Sequence, residues 1–221
     1  MHAYATDEDR TKVTVYLALG SVGLGQGISY LLSSLGTALP RWVDAPSTMT
    51  LFAGLFWLFN SHAWRWEVRK LRLSKIPNLR GTWVGQVRSS HDAQDTPVVV
   101  FVNQTWLRVT VRLATERSGS ASTMAALNTE EATEPGLKYE YLNEPVATAI
   151  PTMHIHRGTA HLRAWPDGKT LEGNYYAGRD RMNLGTIHLR WVCAEAVSRE
   201  EAVKRLALAA ERDGHQAAPG G

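Results

Sequence analysis

The sequence is almost free of cysteine, because Cys193 is the single cysteine in 221 residues. One thiol cannot form an internal disulfide, and it cannot supply the several thiolates of a structural zinc cluster. Disulfide-stapled small folds and cysteine-based zinc modules are therefore excluded. The formal net charge of +3 and the pI near 9.1 are mildly basic. This balance permits a polyanionic ligand or an anionic membrane surface without requiring either.

Common catalytic signatures are also missing, since the chain has no P-loop, no nucleophile elbow and no zinc motif. His154 and His156 share one face of a predicted strand, but His161 has the opposite parity and no carboxylate joins them. Glu140 and Glu144 flank a tyrosine-rich strand without pairing as acid and base. We therefore expect a binding protein and not an enzyme, with no catalytic residue, no metal and no cofactor.

Charge is absent from two long stretches near the N-terminus, residues 13–40 and 45–64, which are separated only by residues 41–44. A helix of about 20 apolar residues crosses a hydrocarbon core. We therefore predict a hairpin of two transmembrane helices, at 13–39 and 45–64. A cleaved signal peptide fits poorly, because the first run is long, follows the acidic "TDEDR" and precedes a second span. A buried helical hairpin of a soluble domain is the other alternative.

Small residues occur at regular spacing in the first run, where "GSVGLGQG" superficially resembles a dinucleotide fingerprint. That motif needs a preceding strand and a following acidic residue, and neither is present. Gly23 and Gly27 are instead four apart in an apolar helix, a spacing that lets two helix backbones approach closely. We predict that these two glycines form a membrane-packing surface.

A basic cluster follows the second run, and Glu67 is the only acidic residue within it. Such clusters stay outside the bilayer, where a central charge costs about 2.5 to 3.5 kcal/mol, and they usually lie on the cytoplasmic face. We therefore place both termini and everything after the hairpin in the cytoplasm. The cluster consists of Arg65, Arg69, Lys70, Arg72, Lys75 and Arg80.

From Pro77 onward the apolar period changes to two, and turns such as Pro166-Asp167-Gly168 separate short candidate strands. In "LRVTVRLATE" the apolar and polar residues alternate, as in a small antiparallel barrel. We predict an all-β, mostly antiparallel barrel of seven or eight strands and a C-terminal helix that begins with a Ser198–Glu201 capping box. Residues 117–136 read as a loop with one helical turn. The predicted segments are a tail (1–12), the helical hairpin (13–64), a basic linker (65–78), the barrel (79–193), the C-terminal helix (194–212) and a disordered tail (213–221).

The barrel interior is predicted from strand parity and side-chain chemistry, since a small barrel encloses side chains or one small ligand. Arginine binds phosphate bidentately, aromatic rings stack on bases, and amide and hydroxyl groups read base edges. This lining suits a small nucleotide better than a fatty acid. The predicted ligand-binding residues are Arg179, Arg181, Tyr175, Tyr141, Asn143, Thr115, Ser118, Ser120 and Gln104.

Other interpretations of these residues remain open. Arg179 and Arg181 flank Asp180 and could form a surface ion pair at a turn. The aromatic residues Trp83, Trp165 and Trp191 are expected in the core. A membrane-tethered barrel could bind a lipid or another apolar ligand, or it could be a scaffold with a filled interior.

The order of several strings behind a two-span hairpin resembles a known family. "NLRGTWVGQVRSS", "QTWLRVTVRLATERSGSAS", "LKYEYLNEP", "HRGTAHLR" and "LEGNYYAGRDRMNLGTIHLR" resemble the membrane-anchored β-barrel effectors of bacterial cyclic-oligonucleotide antiphage signalling (CBASS). The resemblance covers residues 79–190 by motif and the front third by architecture. Met182 departs from it, because a small polar residue such as threonine is expected there.

The resemblance implies a protein of the bacterial inner membrane whose cytoplasmic barrel binds a cyclic dinucleotide made by a cognate CD-NTase, a nucleotidyltransferase. It also implies that the ligand drives homo-oligomerisation in the lipid bilayer, and that the clustered helices disrupt the membrane and kill the infected cell. We expect no DNA or RNA partner.

Overall fold

The computed structural model describes residues 1–36, 41–68, 71–90, 94–129, 135–178 and 183–206. The chain divides into two compact units. Glu8–Lys75 form the helical unit, and Met1–Asp7 together with Ile76–Gly221 form the barrel unit. The barrel unit is therefore discontinuous in sequence, with the helical unit inserted after its first seven residues.

The helical unit contains α1 (Arg10–Ser34) and α2 (Arg41–Ser61). The N-cap residue Asp9 accepts a hydrogen bond of 3.0 Å from the backbone N–H of Thr11, which satisfies one unpaired donor of the first turn. Among the described residues, α1 is the one helix whose length and hydropathy suit a membrane span, and it is almost unburied. Of the predicted first span, residues 37–39 lie outside the described residues.

The chain segments before α1 and after α2 are joined by Glu8. Its carboxylate accepts hydrogen bonds of 2.7 Å from the Ser74 hydroxyl and from the backbone N–H of Lys75. Between them and α2 lie a 3₁₀ turn (Ala63–Arg65) and a short hairpin of β2 (Glu67–Val68) and β3 (Leu71–Arg72). The first and last residues of the helical unit therefore lie next to each other.

Nine strands close into a barrel, in the order β1-β6-β5-β4-β11-β10-β9-β8-β7. Among the described strand pairs of the barrel, only β1 and β7 run parallel. The predicted mostly antiparallel barrel is confirmed, with nine strands where seven or eight were expected. The strands are β1 (His2–Thr6), β4 (Gly81–Ser89), β5 (Asp95–Gln104), β6 (Arg108–Ala114), β7 (Ser118–Asn128), β8 (Gly136–Pro145), β9 (His156–Ala164), β10 (Thr170–Ala177) and β11 (Leu184–Cys193).

Strand β7 corrects the predicted loop at 117–136. It pairs with β8 from Ser118 to Asn128, with a register shift between Ser122 and Met124. Its sequence, "SGSASTMAALN", is poor in the β-branched and aromatic residues that favour strands. Pairing with two neighbouring strands therefore overrides the weak local preference.

Strand β1 lies in what was predicted to be a tail. Strands β6 and β7 pair directly at three positions, from Arg112 to Ala114. Beyond them β1 enters the gap, antiparallel to β6 and parallel to β7. The Ser122 hydroxyl accepts a 2.9 Å hydrogen bond from the Val111 N–H and lies 2.8 Å from His2 Nε2. Tyr4 is buried and donates to the Trp106 carbonyl at 2.6 Å, so β1 is an integral strand of the barrel.

The two ends of the barrel differ. At the plugged end, large apolar side chains that are at most 1% exposed fill the interior, namely Trp83, Trp106, Leu127, Leu137, Leu171 and Leu189. Asp7, the residue after β1, is fixed at this end, where its carboxylate accepts hydrogen bonds of 2.9 Å from the N–H of Thr129. The other end is the open end. Trp165, which was expected in the core, is 47% exposed.

A short helix, α3 (residues 199–206), covers part of the outer barrel wall. The Ser198 hydroxyl accepts the N–H of Glu201 at 3.2 Å, as the capping motif predicts. Ala202 is fully buried and packs with Val84 and Val99, which point outward from β4 and β5. Both faces of β5 are therefore buried, which explains its continuous apolar run. Residues 207–221, including the predicted tail, lie outside the described residues.

Candidate functional site

A pocket of about 180 Å³ occupies the open end of the barrel. Side chains of strands β4 to β11 form its wall, and the β6–β7 turn and the β8–β9 connection contribute to its rim. The wall combines tyrosine rings, hydroxyls, amides and a few apolar side chains. The pocket can therefore hold a ligand that is both flat and polar.

Six of the nine predicted ligand-binding residues line this pocket. Tyr141, Asn143 and Tyr175 face the interior as strand parity predicts, whereas Ser118 and Ser120 reach the pocket on β7, a strand where a loop was predicted, and Ser120 sits opposite Asn143. Asn143 and Ser118 are nearly buried, at 6% and 7% exposure. Their roles in binding stay predictions. The six are Tyr175, Tyr141, Asn143, Thr115, Ser118 and Ser120.

The structure places Gln104 away from the pocket. Its side-chain Oε1 accepts the N–H of Leu79 at 2.8 Å, and its Nε2 donates to the Pro77 carbonyl at 2.9 Å. Gln104 is 2% exposed at the plugged end. It therefore fixes the segment that leads into β4. Gln104 was chosen because it lies at a strand junction, and that position does not say at which depth of the barrel the side chain lies.

The predicted phosphate ligands Arg179 and Arg181 lie outside the described residues. Ala177, two residues before Arg179, and Asn183, two residues after Arg181, both line the pocket. The two arginines therefore remain predictions whose flanking residues are at the open end. The neighbouring Tyr176 points outward and is 48% exposed.

The two pocket tyrosines face glycines across the sheet. Tyr141 is opposite Gly158 in the β8–β9 pair, and Tyr175 is opposite Gly185 in the β10–β11 pair. A Cβ atom added at either glycine would collide with the ring of the tyrosine opposite it. Each ring therefore lies over a glycine, where the backbone can be approached closely, and this keeps the pocket open.

Tyr139 lies beneath this layer and is 4% exposed. Its ring centroid is 6.1 Å from that of Tyr141. Burial, with a smaller effect from Tyr141, raises the pKa of Tyr139 above its ordinary value. Its hydroxyl therefore stays protonated at physiological pH.

Two basic side chains at the pocket were not predicted. Arg117 donates from Nη2 to the Thr152 hydroxyl at 2.7 Å. His156 also lines the pocket, and its Nδ1 lies 3.0 Å from the His154 carbonyl. Arg117 was assigned to a predicted loop, two residues after Thr115. In the described part of the chain no group of histidine, cysteine and acidic residues is arranged to hold a metal.

A second, shallower groove of about 360 Å³ lies on the outer face of strands β8 to β11. Its charged groups include Lys138, Arg163 and Glu172, and Glu172 Oε2 is 3.6 Å from His188 Nδ1. Because this wall is an ordinary solvated sheet face, the interior pocket is the better candidate site.

In the helical unit, the glycine that contacts the neighbouring helix is Gly25. A Cβ at this position would lie 3.3 Å from the Thr48 hydroxyl of α2. Gly23 and Gly27, the predicted packing pair, have no atom of the described structure within 4 Å of such a Cβ. They therefore do not pack α1 against α2.

Comparison with known families agrees with this architecture. Residues 74–191 match the family described as "Cap15, cyclic dinucleotide receptor domain", and residues 11–65 match "Cap15, TM helices". The chain belongs to the Cap15 family. The resemblance to CBASS membrane effectors is thereby confirmed, and the family's transmembrane helices indicate membrane association.

A curated relative is the CD-NTase-associated protein 15 of Yersinia aleksiciae. It is 29% identical over 138 residues, a match that covers 62% of this chain and 65% of the relative. The match thus spans a little less than two thirds of that protein's length.

Proposed function

We propose that this protein is a membrane-anchored antiphage effector whose barrel binds a cyclic dinucleotide at the open end. The observation that carries the proposal is the polar, tyrosine-lined pocket, which lies within the segment matching a cyclic dinucleotide receptor domain. A lipid-binding barrel would need a mostly apolar lining, and a scaffold barrel would need no pocket.

The lining divides the recognition among its side chains. Tyr141 and Tyr175 stack on the bases, a contact worth about 1 to 3 kcal/mol per base. The amide of Asn143 and the hydroxyls of Ser118 and Ser120 bind polar base or ribose groups. On the connection between β10 and β11, Arg179 and Arg181 are proposed to bind phosphate oxygens.

The pocket is small for such a ligand. Its volume of about 180 Å³ lies below the ~300 to 1,000 Å³ of common small-molecule sites. A cyclic dinucleotide would therefore insert its bases and leave its phosphates at the rim. The basic groups are expected at the rim for this reason.

Binding can supply enough free energy to switch the protein. At about −0.3 kcal/mol per heavy atom, a ligand of this size can reach nanomolar affinity. Shifting the ratio of assembled to resting protein from 1:99 to 99:1 requires the ligand to bind the assembled state more tightly by about 5.5 kcal/mol. The total binding free energy is therefore large enough to drive homo-oligomerisation.

The position of β1 supports two membrane spans. Because β1 and β4 belong to one barrel, the chain must return to the side of the membrane from which it left. One crossing by α1 alone would separate these strands, and this favours a second crossing by α2. The basic residues after α2 favour the cytoplasm for the barrel.

The membrane effect is assigned to contacts between copies. Gly23 and Gly27 lie on a part of α1 that α2 does not cover, and small residues four apart favour close helix packing in a bilayer. We propose that ligand binding clusters these helices, disrupts the inner membrane and kills the cell.

The test is a thermal-shift panel of cyclic di- and trinucleotides on the full-length protein in detergent. At least one cyclic dinucleotide should raise the melting temperature. Tyr175→Ala should weaken binding about 5- to 150-fold, in line with the loss of one stacked base. Tyr176→Ala, its outward neighbour, is the matched control and should bind normally. If no member of the panel shifts the wild type, the proposed function is wrong, and a co-purifying apolar ligand would favour a lipid-binding barrel instead.

A further inference from the structure

We propose that Arg117 binds one phosphate of the ligand at the pocket rim and that Thr152 positions its guanidinium. This inference rests on the proposed function and adds to it a site for one of the two phosphates. It begins from the observation that Arg117 is the one lysine or arginine among the described residues that line the pocket.

The backbone of Arg117 is held from two sides. Its N–H donates to the Thr115 hydroxyl at 3.1 Å, within the β6–β7 turn. Its carbonyl accepts the Val146 N–H at 2.9 Å, from the start of the β8–β9 connection. The guanidinium is therefore attached to a fixed point on the rim.

Thr152 sets the direction of the side chain. Its hydroxyl donates to the Ala149 carbonyl at 3.2 Å, so that its proton is already used. The same oxygen accepts Nη2 of Arg117 at 2.7 Å. This contact uses one of the five N–H donors of the guanidinium. The remaining donors can bind a phosphate while Thr152 keeps the group at the rim.

Within the described part of the chain, the charge of Arg117 is not compensated by a carboxylate. Among the residues that the structure describes, no acidic side chain pairs with it, whereas Arg157, on the outer wall, lies 3.1 Å from Glu140 Oε1. A guanidinium that is held by a neutral hydroxyl keeps its attraction for an anion and binds phosphate oxygens in a bidentate manner. Arg117 therefore has the chemistry of a phosphate ligand, while Arg157 has that of a surface ion pair.

The barrel order explains why one phosphate should reach Arg117. At the open end β6 and β7 pair directly, and two strands separate this hairpin from the β10–β11 hairpin in either direction. The β6–β7 turn and the pocket-lining residues Ala177 and Asn183 thus lie on opposite walls. A cyclic dinucleotide carries its two phosphates on opposite sides of its ring. A ligand centred in the pocket would present one phosphate to each wall.

The experiment measures dissociation constants of the full-length protein for cyclic di-AMP, cyclic di-GMP and cyclic GMP–AMP by calorimetry, at two salt concentrations. Arg117→Gln should weaken binding about 10- to 100-fold and reduce its salt dependence, because a charge-assisted contact is lost. The affinity of Arg117→Lys should lie between those of the wild type and Arg117→Gln, since lysine keeps the charge but loses the bidentate geometry. Arg112→Gln, an exposed outward change on β6, is the control and should bind as the wild type does.

The positioning role of Thr152 is tested by separate substitutions, through affinity and its salt dependence. Thr152→Val should weaken binding several-fold while keeping the wild-type salt dependence, because the charge remains but is no longer directed. Thr152→Ser should restore the affinity. Melting temperatures without ligand report whether any variant has lost its fold.

The outcomes separate the two proposals. If wild type binds and Arg117→Gln binds equally well with the same salt dependence, Arg117 is not a phosphate ligand, and the proposed function stands. If Thr152→Ser fails to restore binding, or Thr152→Val changes the salt dependence as Arg117→Gln does, the positioning role is wrong. If wild type binds no cyclic dinucleotide of the thermal-shift panel, the proposed function fails and this inference fails with it.

Discussion

The plugged and open ends of the barrel are built from the same strands but do different work. At the plugged end the inward positions carry tryptophan and leucine, and the interior is filled. At the open end the same strands carry serine, asparagine and tyrosine, and a pocket remains. The comparison teaches that the close packing that stabilises the fold is concentrated at the plugged end, while the open end keeps a pocket. Substitutions at the two ends should therefore separate stability from binding.

The largest effect is expected at the plugged end. Trp83 is fully buried, and its Nε1 donates to the Leu79 carbonyl at 2.9 Å. Trp83→Ala should cost about 3 to 5 kcal/mol of unfolding free energy, because it leaves a cavity. Trp165→Ala, at a half-exposed site, is the matched control and should cost far less. Chemical denaturation measures both, and equal losses would contradict the assignment of the plug.

The wall of the open end should respond next. A Cβ at Gly158 would collide with the Tyr141 ring and the Tyr176 carbonyl. Gly158→Ala should therefore cost about 1 to 3 kcal/mol through overpacking, and it should also weaken ligand binding by displacing the ring. Gly119→Ala on β7 has its nearest neighbour at 3.9 Å and serves as control. Unchanged binding by Gly158→Ala would show that the ring over this glycine does not contact ligand.

Strand β1 offers a smaller test of the plugged end. Tyr4→Phe removes the hydroxyl that donates to the Trp106 carbonyl. The expected loss is about 1 kcal/mol, typical of one hydrogen bond, without a change in ligand affinity. Tyr176→Phe, at a half-exposed site, should leave the melting temperature unchanged. A Tyr4→Phe protein as stable as wild type would place β1 outside the cooperative unit.

The smallest effect appears only at high pH. Burial raises the pKa of Tyr139, so the folded protein keeps this proton while the unfolded chain releases it above about pH 10. Below that pH the contribution is constant, and above it the folded state is progressively destabilised. Melting temperature should therefore fall as pH rises beyond 10, and Tyr139→Phe should reduce the fall. An identical alkaline profile for the variant would mean that another group controls it.

Much of the architecture was predictable because its signals are local. Uncharged apolar runs marked the hairpin, and the period of two marked most strands. Strands β1 and β7 were missed for a physical reason. The small, polar sequence of β7 has little strand preference of its own, and β1 acquires its structure only by entering a gap between strands more than 100 residues away.

The candidate site was also predictable in part. Sequence reasoning identified six residues that the fold brings to one pocket, and strand parity selected three of them, Tyr141, Asn143 and Tyr175. It misplaced Gln104, and it could not find Arg117 or His156, which lie where strands begin or end and alternation no longer applies.

By itself, the sequence determined the class of most segments and the face on which most strand residues lie, because periodicity and hydropathy act over a few neighbouring residues. Only the tertiary structure decided which end of the barrel is filled and which is open, and that residues 2–6 complete the wall. Depth along a barrel and pairing between distant strands depend on closure of the whole sheet, which no short segment encodes.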